Sequence, residues 1–270
     1  MANRTPNRPK TPKTPPTERV ELLLDALKEL LLTEMADALR AELDAGPDPD
    51  ATRLDFLWAL VEPQVRARRE RRIERRLKAA RFPAPRTLED FDWQFNPKID
   101  RELVWQLATL DFIRQGLNAL CAGMPGTGKS HIAVALGHAA CAAGFRVRYT
   151  TSAAMLDTLY ASLATHTLQQ ALRPFVRADL LIIDEVGIER PERDSERDAS
   201  LFYKVVDTRH NRPASTIVTT NISWDDWGGY LGDALATGAI LDRLVGRGYA
   251  LRFEGRSYRA AQHEELNRRR

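Results

Sequence analysis

The stretch from Gly123 to Ser130 constrains this chain more than any other, because it reads Gly-Met-Pro-Gly-Thr-Gly-Lys-Ser. This is the G-x-x-x-x-G-K-S pattern of a phosphate-binding loop. Its glycines permit backbone angles that turn successive N–H groups toward an anion. The lysine of such a loop reaches the outer phosphates, and the serine hydroxyl ligates Mg²⁺. We therefore predict that the chain binds a nucleoside triphosphate.

The residues on either side of this loop support the prediction. Leu117–Cys121 is a short apolar run of strand length, and the sequence from Ile132 onward is strongly helical. A helix that begins directly after the loop places the positive end of its dipole against the phosphates. The residues that we expect to contact the nucleotide are Gly123, Pro125, Gly126, Thr127, Gly128, Lys129, Ser130 and His131.

Two acids after a second apolar run form the other half of the predicted site. Leu180–Ile183 is continuously apolar and is followed by Asp184 and Glu185. An apolar run followed by acids is typical of a buried parallel strand with a functional site at its carboxyl end. We expect Asp184 to hold Mg²⁺ together with Ser130, and Glu185 to polarise the water that attacks the γ-phosphate.

Asn221 ends the next apolar run, Ser215–Thr220, and is a candidate to orient that water or to touch the γ-phosphate. An asparagine that merely caps a loop is the alternative. Strand patterns alternate with helix patterns throughout this half of the chain, as in Phe145–Thr151 with a helix capped by Ser152. The alternation predicts an α/β fold with a mostly parallel sheet flanked by helices and a site at the strand ends.

The first eighty residues have a different character. Residues 1–17 are basic and contain five prolines, which predicts a disordered tail. Apolar spacing predicts one amphipathic helix over Thr17–Leu43, a second from about Asp50 and a third over Pro63–Ala80. A further helix is expected over Ile99–Gln115. The predicted division is a tail (1–17), an all-α domain that binds DNA or a partner (18–80), a linker (81–98) and an ATPase domain (99–270).

Positive charge is concentrated in the third predicted helix. The net charge is only +3, yet Glu62–Arg86 contains ten Arg or Lys against three Glu. Arg66, Arg69, Arg72 and Arg76 recur at steps of three and four, which places them along one stripe of a helix. We favour a surface that contacts DNA phosphates over the alternative, a solvated face held by Glu–Arg pairs.

Three aromatic residues, Phe91, Trp93 and Phe95, alternate in the predicted linker as they would in a strand or an extended arm. They either stack near the nucleotide base or dock the linker on the core, and docking is the preferred interpretation. Two cysteines, Cys121 and Cys141, fall on predicted core elements and are expected to be small buried apolar residues. No apolar run is long enough to span a bilayer, and the N-terminus lacks the pattern of a secretory signal, so we expect a cytoplasmic protein.

Several of these motifs together resemble the AAA+ ATPases of the IstB and DnaC type. They are Gly123-Met-Pro-Gly-Thr-Gly-Lys-Ser-His-Ile-Ala, Leu180-Leu-Ile-Ile-Asp-Glu, Thr219-Thr-Asn, Ile240-Leu-Asp-Arg-Leu and Gly255-Arg-Ser-Tyr-Arg. The run Glu74-Arg-Arg-Leu-Lys-Ala-Ala-Arg-Phe-Pro-Ala-Pro-Arg is similar to the insertion-sequence helper proteins of the IstB branch. The resemblance implies that Asp184 and Glu185 are the Mg²⁺ and water-activating pair. It also makes Asn221 the first sensor, Arg243 a finger acting on a neighbouring subunit, and Arg259 the second sensor.

The function implied by this resemblance is a transposition helper that uses ATP and Mg²⁺. Such a protein self-assembles on duplex DNA and delivers the target to a partner transposase. The 49 residues after Asn221 are too few for a full C-terminal lid, and the loop after Glu185 is more charged than is usual for the family. A DnaC-like loader of a replicative helicase is the alternative. A small-molecule kinase and a DNA-bending architectural protein are more distant ones, and for Arg243 and Arg259 an ordinary surface pair stays open.

Overall fold

A computed structural model describes residues 15–188, 195–223 and 226–268. Most of the predicted N-terminal tail and residues 189–194 of the charged loop after Glu185 lie outside these ranges. The chain divides into two compact units, Met1–Arg72 and Ile73–Arg270, which are described in turn.

The N-terminal unit consists of helices α1 (Pro16–Glu29), α2 (Thr33–Ala45) and the first part of α3 (Arg53–Ala80). The prediction of one helix over Thr17–Leu43 is wrong, because the chain turns between α1 and α2, where Leu31 has a φ of 58°. No glycine or proline signals this turn. Its cause is tertiary, since α2 packs on α1 and the apolar residues of the three helices are then buried together: Leu24, Leu27, Ala36, Leu39 and Leu60.

Helix α3 is continuous where two helices were predicted, and it contains Pro63. A proline inside a helix removes one backbone hydrogen bond and costs about 3 kcal/mol, which is why the sequence pattern indicated a break there. The residues on both sides are mainly Leu, Ala, Arg and Glu, which are strong helix formers. Their combined preference carries the helix through the proline.

The second unit is built on a five-stranded parallel sheet in the order β2-β3-β4-β1-β5. This confirms the predicted fold class, a mostly parallel sheet flanked by helices. The strands are β1 (Asn118–Gly123), β2 (Val147–Thr151), β3 (Leu180–Val186), β4 (Ser215–Thr220) and β5 (Gly248–Phe253). The helices are α4 (Arg101–Ala108), α5 (Asp111–Arg114), α6 (Lys129–Ala143), α7 (Ser152–Ala164), α8 (Leu168–Val176), α9 (Ser195–His210), α10 (Trp227–Leu231), α11 (Ala234–Val245) and α12 (Tyr258–Arg268).

The sheet separates two apolar clusters, and side chains of β3 alternate between them. Leu180 and Ile182 join the cluster that contains α6, whereas Leu181 and Ile183 join the one that contains α7 and α9. All four side chains are fully buried, as expected for a central parallel strand. The acids that follow are thereby held at the carboxyl edge of the sheet.

Local boundaries differ from prediction at two points. The helix expected over Ile99–Gln115 is divided into α4 and α5, because Leu110 between them adopts a left-handed φ of 64°. Thr151, not Ser152, caps α7, since its hydroxyl accepts the N–H of Ala154 at 3.2 Å. Neither difference moves a strand end.

Both cysteines are buried and free, as predicted. Burial raises the pKa of Cys121 to about 12 and that of Cys141 to about 11. In the ranges that the structure describes, no helix combines the length and the apolar character needed to cross a membrane.

Candidate nucleotide-binding site

The phosphate loop connects β1 to α6, as the sequence pattern requires. Its glycines have φ values of 156° at Gly123, 77° at Gly126 and 105° at Gly128. These angles are strained for a residue with a Cβ, so the loop path depends on glycine. Because α6 begins at Lys129, the N-terminal turn of this helix faces the loop. The arrangement is a concave set of backbone N–H groups suited to an anion.

The Lys129 ammonium is buried within this loop. Its Nζ donates to the carbonyl oxygens of Gly123 at 2.6 Å and Met124 at 2.8 Å. Burial lowers the pKa of Lys129, and this effect outweighs the nearby Asp184, which raises the pKa; Arg259 contributes a smaller lowering. A buried cation that donates hydrogen bonds to neutral carbonyls gains strongly from an additional, anionic partner. A triphosphate is such a partner.

The Asp184 carboxylate accepts hydrogen bonds from three hydroxyl groups. Ser130 Oγ donates to Oδ1 at 2.8 Å, Tyr149 Oη donates to Oδ2 at 2.6 Å, and Thr219 also donates to Oδ1. Asp184 is only 2% exposed. The structure therefore joins the two predicted metal-binding residues, Ser130 and Asp184, in one direct contact. Sequence reasoning did not find Tyr149 or Thr219, although both lie on the strands adjacent to β3.

Glu185 stands beside this buried carboxylate but is exposed. Side chains of β3 alternate between the two faces of the sheet, but the φ of 63° at Glu185 breaks this pattern. The N–H of Glu185 donates to Thr219 Oγ1 at 3.1 Å. A residue held in the left-handed region by tertiary contacts is often part of a functional site. Its position suits a carboxylate that faces solvent water.

Asn221 follows β4 directly and lies near Gly187 at the same edge of the sheet. Its Oδ1 atom is buried and has no hydrogen-bond partner among the residues that the structure describes. A buried amide oxygen without a partner is costly in the absence of an additional donor. The structure thus brings Asn221 to the strand end where Asp184 and Glu185 also lie.

The segment before α12 packs on the phosphate loop. The N–H of Tyr258 donates to the Gly126 carbonyl at 2.9 Å, and a Cβ on Gly126 would collide with Ser257 Oγ. Arg259, in the first turn of α12, is exposed and near enough to Lys129 to affect its pKa. The contact between Arg259 and the nucleotide of its own chain stays a prediction.

Aromatic residues of segment 81–98 also reach the loop, through turns where an extended arm was expected. A Cβ on Gly128 would lie 2.5 Å from the Phe91 ring, which also packs edge-on against His131 at 5.2 Å. His131 Nε2 is 2.8 Å from the Thr87 carbonyl, and the Phe95 ring contacts Tyr258 at 5.0 Å. The segment is therefore docked on both the phosphate loop and the first residue of α12.

The other two predicted loop contacts differ in burial. Thr127 is buried and its hydroxyl donates to the Met124 carbonyl at 2.7 Å, whereas Pro125 is exposed at the tip of the loop. Thr127 therefore shapes the loop, and Pro125 faces outward.

Arg243 does not reach the nucleotide site of its own chain. Its backbone carbonyl accepts from Asn118, the first residue of β1, at the opposite end of that strand from the phosphate loop. Its guanidinium donates to Asp207 at 3.0 Å and to the Tyr203 hydroxyl at 2.9 Å. Any contact between Arg243 and a nucleotide would have to be with that of another molecule.

The arginine stripe lies on α3 as predicted. Arg66, Arg69 and Arg72 are exposed, and in the described part of the chain no ion pair or hydrogen bond involves them. Arg71 differs, since it pairs with Glu34 at 2.8 Å. Arg76 is half-buried, and its guanidinium lies close to Gly144.

The site residues fit both a triphosphate and its metal. The loop supplies N–H groups and a buried cation, and the Ser130–Asp184 pair supplies the oxygen ligands that Mg²⁺ prefers. In the described ranges no cluster of three His, Cys, Asp or Glu residues offers a protein-only metal site. A metal bound here would therefore be shared with the phosphates.

Two of the solved structures with the same fold are replication initiators. The chain matches DnaA of Aquifex aeolicus bound to AMPPCP with a TM-score of 0.51 and 21% identity, over 63% of this chain and 50% of that one. It matches a replication initiator DnaA bound to AMPPCP and single-stranded DNA with a TM-score of 0.53 and 21% identity, over 69% and 56%. The chain thus corresponds to about half of each initiator, and at this identity the likeness shows the fold alone.

Sequence relatives are closer and extend over nearly the whole chain. An IS21 protein of Pseudomonas aeruginosa described as ATP-binding is 36% identical over 89% of this chain and 88% of its own length. An IS5376 protein of Geobacillus stearothermophilus with the same description is 31% identical over 85% and 90%. The model of the family described as IstB-like ATP binding protein matches residues 25–266. With its phosphate loop and acidic pair in place, this chain belongs to the IstB-like ATP-binding proteins of insertion sequences.

Proposed function

We propose that the protein is an ATP-hydrolysing helper of DNA transposition, which assembles on duplex DNA and delivers the target to a partner transposase. The observation that carries the enzymatic part is the 2.8 Å contact between Ser130 and Asp184 at the end of the phosphate loop, beside the exposed Glu185. Membership of the insertion-sequence family supports the proposed role in transposition.

The chain's own groups account for each requirement of phosphate transfer to water. Lys129 and the loop N–H groups bind the β- and γ-phosphates, and Glu185 accepts a proton from the attacking water. Asn221 orients that water through its buried amide oxygen. Mg²⁺, held by Ser130 and Asp184, would neutralise charge on the phosphate oxygens. Arg259 adds a positive charge from the same chain.

The proposal for duplex DNA rests on the arginines of α3. Arg66, Arg69 and Arg72 are exposed and lie at helical spacing, so they present several cations to one surface. Exposed cations without acidic partners are the groups that bind phosphates and release counterions. The described residues supply no pattern of base-reading side chains, so we expect binding with little dependence on sequence.

A direct test compares the rate of ATP hydrolysis without DNA, with long duplex and with single strands at one salt concentration. We expect strong stimulation by duplex that rises cooperatively with protein concentration, because assembly would complete the sites. Stimulation by single strands alone would favour a helicase loader. A rate that responds to neither would favour a small-molecule kinase.

Replacing both Arg69 and Arg72 with alanine should weaken duplex binding equally for all sequences. The slope of log Kd against log salt should fall by about two units, since two phosphate contacts are lost. Fluorescence anisotropy at several salt concentrations measures this slope. The matched control is Arg40→Ala with Arg53→Ala, which removes the same charge from other exposed positions of the N-terminal unit. Loss of binding confined to one sequence would contradict phosphate contact.

Arg243→Ala should retain ATP binding and lose most hydrolysis, because the residue would act on the nucleotide of a neighbouring molecule. Mixing Arg243→Ala with Glu185→Gln protein should restore part of the rate at composite sites that contain one intact copy of each residue. Arg247→Ala, an exposed arginine just beyond the same helix, is the control and should hydrolyse ATP normally. The absence of any restored activity in the mixture would contradict a shared site.

A further inference from the structure

Tyr149 makes a contact with Asp184 that the roles assigned above do not use. The tyrosine hydroxyl donates to Oδ2 at 2.6 Å, while Ser130 and Thr219 both donate to Oδ1. Oδ2 thus receives its hydrogen bond from Tyr149, and Oδ1 receives the other two. Because the carboxylate is held from both oxygens, its plane cannot rotate without breaking one of these bonds.

The tyrosine reaches this position from the neighbouring strand. On β2, Tyr149 pairs with Ile182, and Thr151 pairs with Asp184, so the Tyr149 side chain extends along the sheet by two residues to meet the carboxylate. Its ring is half-buried on the side of the sheet that carries α6. The contact thus depends on where the ring is held, not on the β2–β3 register alone.

Phe82 is an aromatic neighbour of the Tyr149 ring. The two ring centroids are 6.3 Å apart, and Phe82 lies only two residues beyond the end of α3. Phe82 itself occupies space left by Gly137, where a Cβ would lie 2.7 Å from the Phe82 ring. It also packs against His138 in a tilted arrangement, with ring centroids 4.4 Å apart. The Phe82 ring therefore lies between α6 and the Tyr149 ring.

We propose that Tyr149 is a positioning residue for the Mg²⁺ carboxylate and that Phe82 sets its position. The residues directly after α3 then control how tightly the site binds its metal. This assignment rests on the proposed function, in that Mg²⁺ accompanies ATP at Ser130 and Asp184. Arg76, which the sequence predicted to contact DNA, lies six residues before Phe82.

The first test replaces Tyr149 with phenylalanine, which keeps the ring and removes only the hydroxyl. Binding of a fluorescent ATP analogue is titrated with Mg²⁺, and hydrolysis is measured in parallel. The Mg²⁺ concentration for half-maximal binding should rise about tenfold, as is typical when a group that orients a metal ligand is lost. Binding without Mg²⁺ should be unchanged. Tyr249→Phe, at a half-buried tyrosine of the same cluster, is the control and should leave the titration unaltered.

The second test addresses Phe82 with a double-mutant cycle. Phe82→Leu should raise the Mg²⁺ requirement about threefold in the otherwise native protein. In the Tyr149→Phe background it should have no further effect, because the hydroxyl through which Phe82 acts is gone. Phe145→Leu, an aromatic residue that packs on the same cluster, controls for a general loosening of the core.

Two results would overturn the assignment. A Tyr149→Phe protein with the native Mg²⁺ titration would show that the hydroxyl does not position Asp184. Independent, additive effects of the Phe82 and Tyr149 changes would remove Phe82 from the chain of contacts. Failure of the native protein to bind the ATP analogue with Mg²⁺ would instead reject the proposed function, so the two failures are distinguishable.

Discussion

Replacing Lys129 with alanine should lower the rate of ATP hydrolysis at least about 100-fold and weaken ATP binding as well. The loss of one preorganised positive group at a transferred phosphate typically has an effect of this size. The ammonium is buried within the phosphate loop, where the low dielectric strengthens its attraction to an anion. Steady-state hydrolysis and titration of a fluorescent ATP analogue would measure the two effects.

The control for this change is Lys98→Ala. Lys98 is exposed and pairs with Glu254 at 3.7 Å, so its loss removes the same charge without touching the loop. Lys129 also donates to two loop carbonyls, and thermal unfolding should therefore be recorded for both variants. A folded Lys129→Ala protein that binds ATP with native affinity would contradict the assignment of the loop.

Replacing Glu185 with glutamine should reduce hydrolysis about 1,000-fold while ATP binding persists. General base catalysis contributes on this scale, and the amide is isosteric but not basic. Because Glu185 is exposed and its backbone is fixed by Thr219, the substitution should disturb little else. Under the proposed function, ATP would no longer be cleared, and the protein should accumulate on duplex DNA as large complexes.

Single-turnover hydrolysis and sedimentation with duplex DNA would test both parts. Glu102→Gln, on the exposed side of α4, is the matched control and should behave as the native protein. A Glu185→Gln protein with full transposition activity would point to an architectural role in which hydrolysis is dispensable.

The sheet was more predictable from sequence than the N-terminal helices, for a physical reason. A strand such as β3 is apolar on both faces, so its burial is visible in four consecutive residues. Helix α3 continues through Pro63 because strong helix formers flank the proline, although a proline usually indicates a break. The turn at Leu31 depends on packing between distant residues. Helix propensity depends only on local sequence, so it does not predict that packing.

The site divides in a similar way. Lys129 and Ser130 could be predicted because they belong to one contiguous motif whose sequence determines the conformation of the loop. Tyr149 and Thr219 could not, because they meet Asp184 only after three strands are placed side by side. The available signal was weak: hydroxyl-bearing residues near the carboxyl ends of both strands that flank β3.

Side chains of segment 81–98 pack closely against distant glycines, and this packing limits how the sequence can change in evolution. Phe82 fits against Gly137, Phe91 against Gly128, and a Cβ on Gly255 would collide with Asn96. In each case a large side chain early in the chain occupies volume that a glycine far away leaves free. At Gly137, which is helical, a larger side chain should be tolerated only when Phe82 becomes smaller, whereas Gly128 and Gly255 also have positive φ values that favour glycine. After recombination between related insertion sequences, we expect both residues of each pair to come from the same parent sequence.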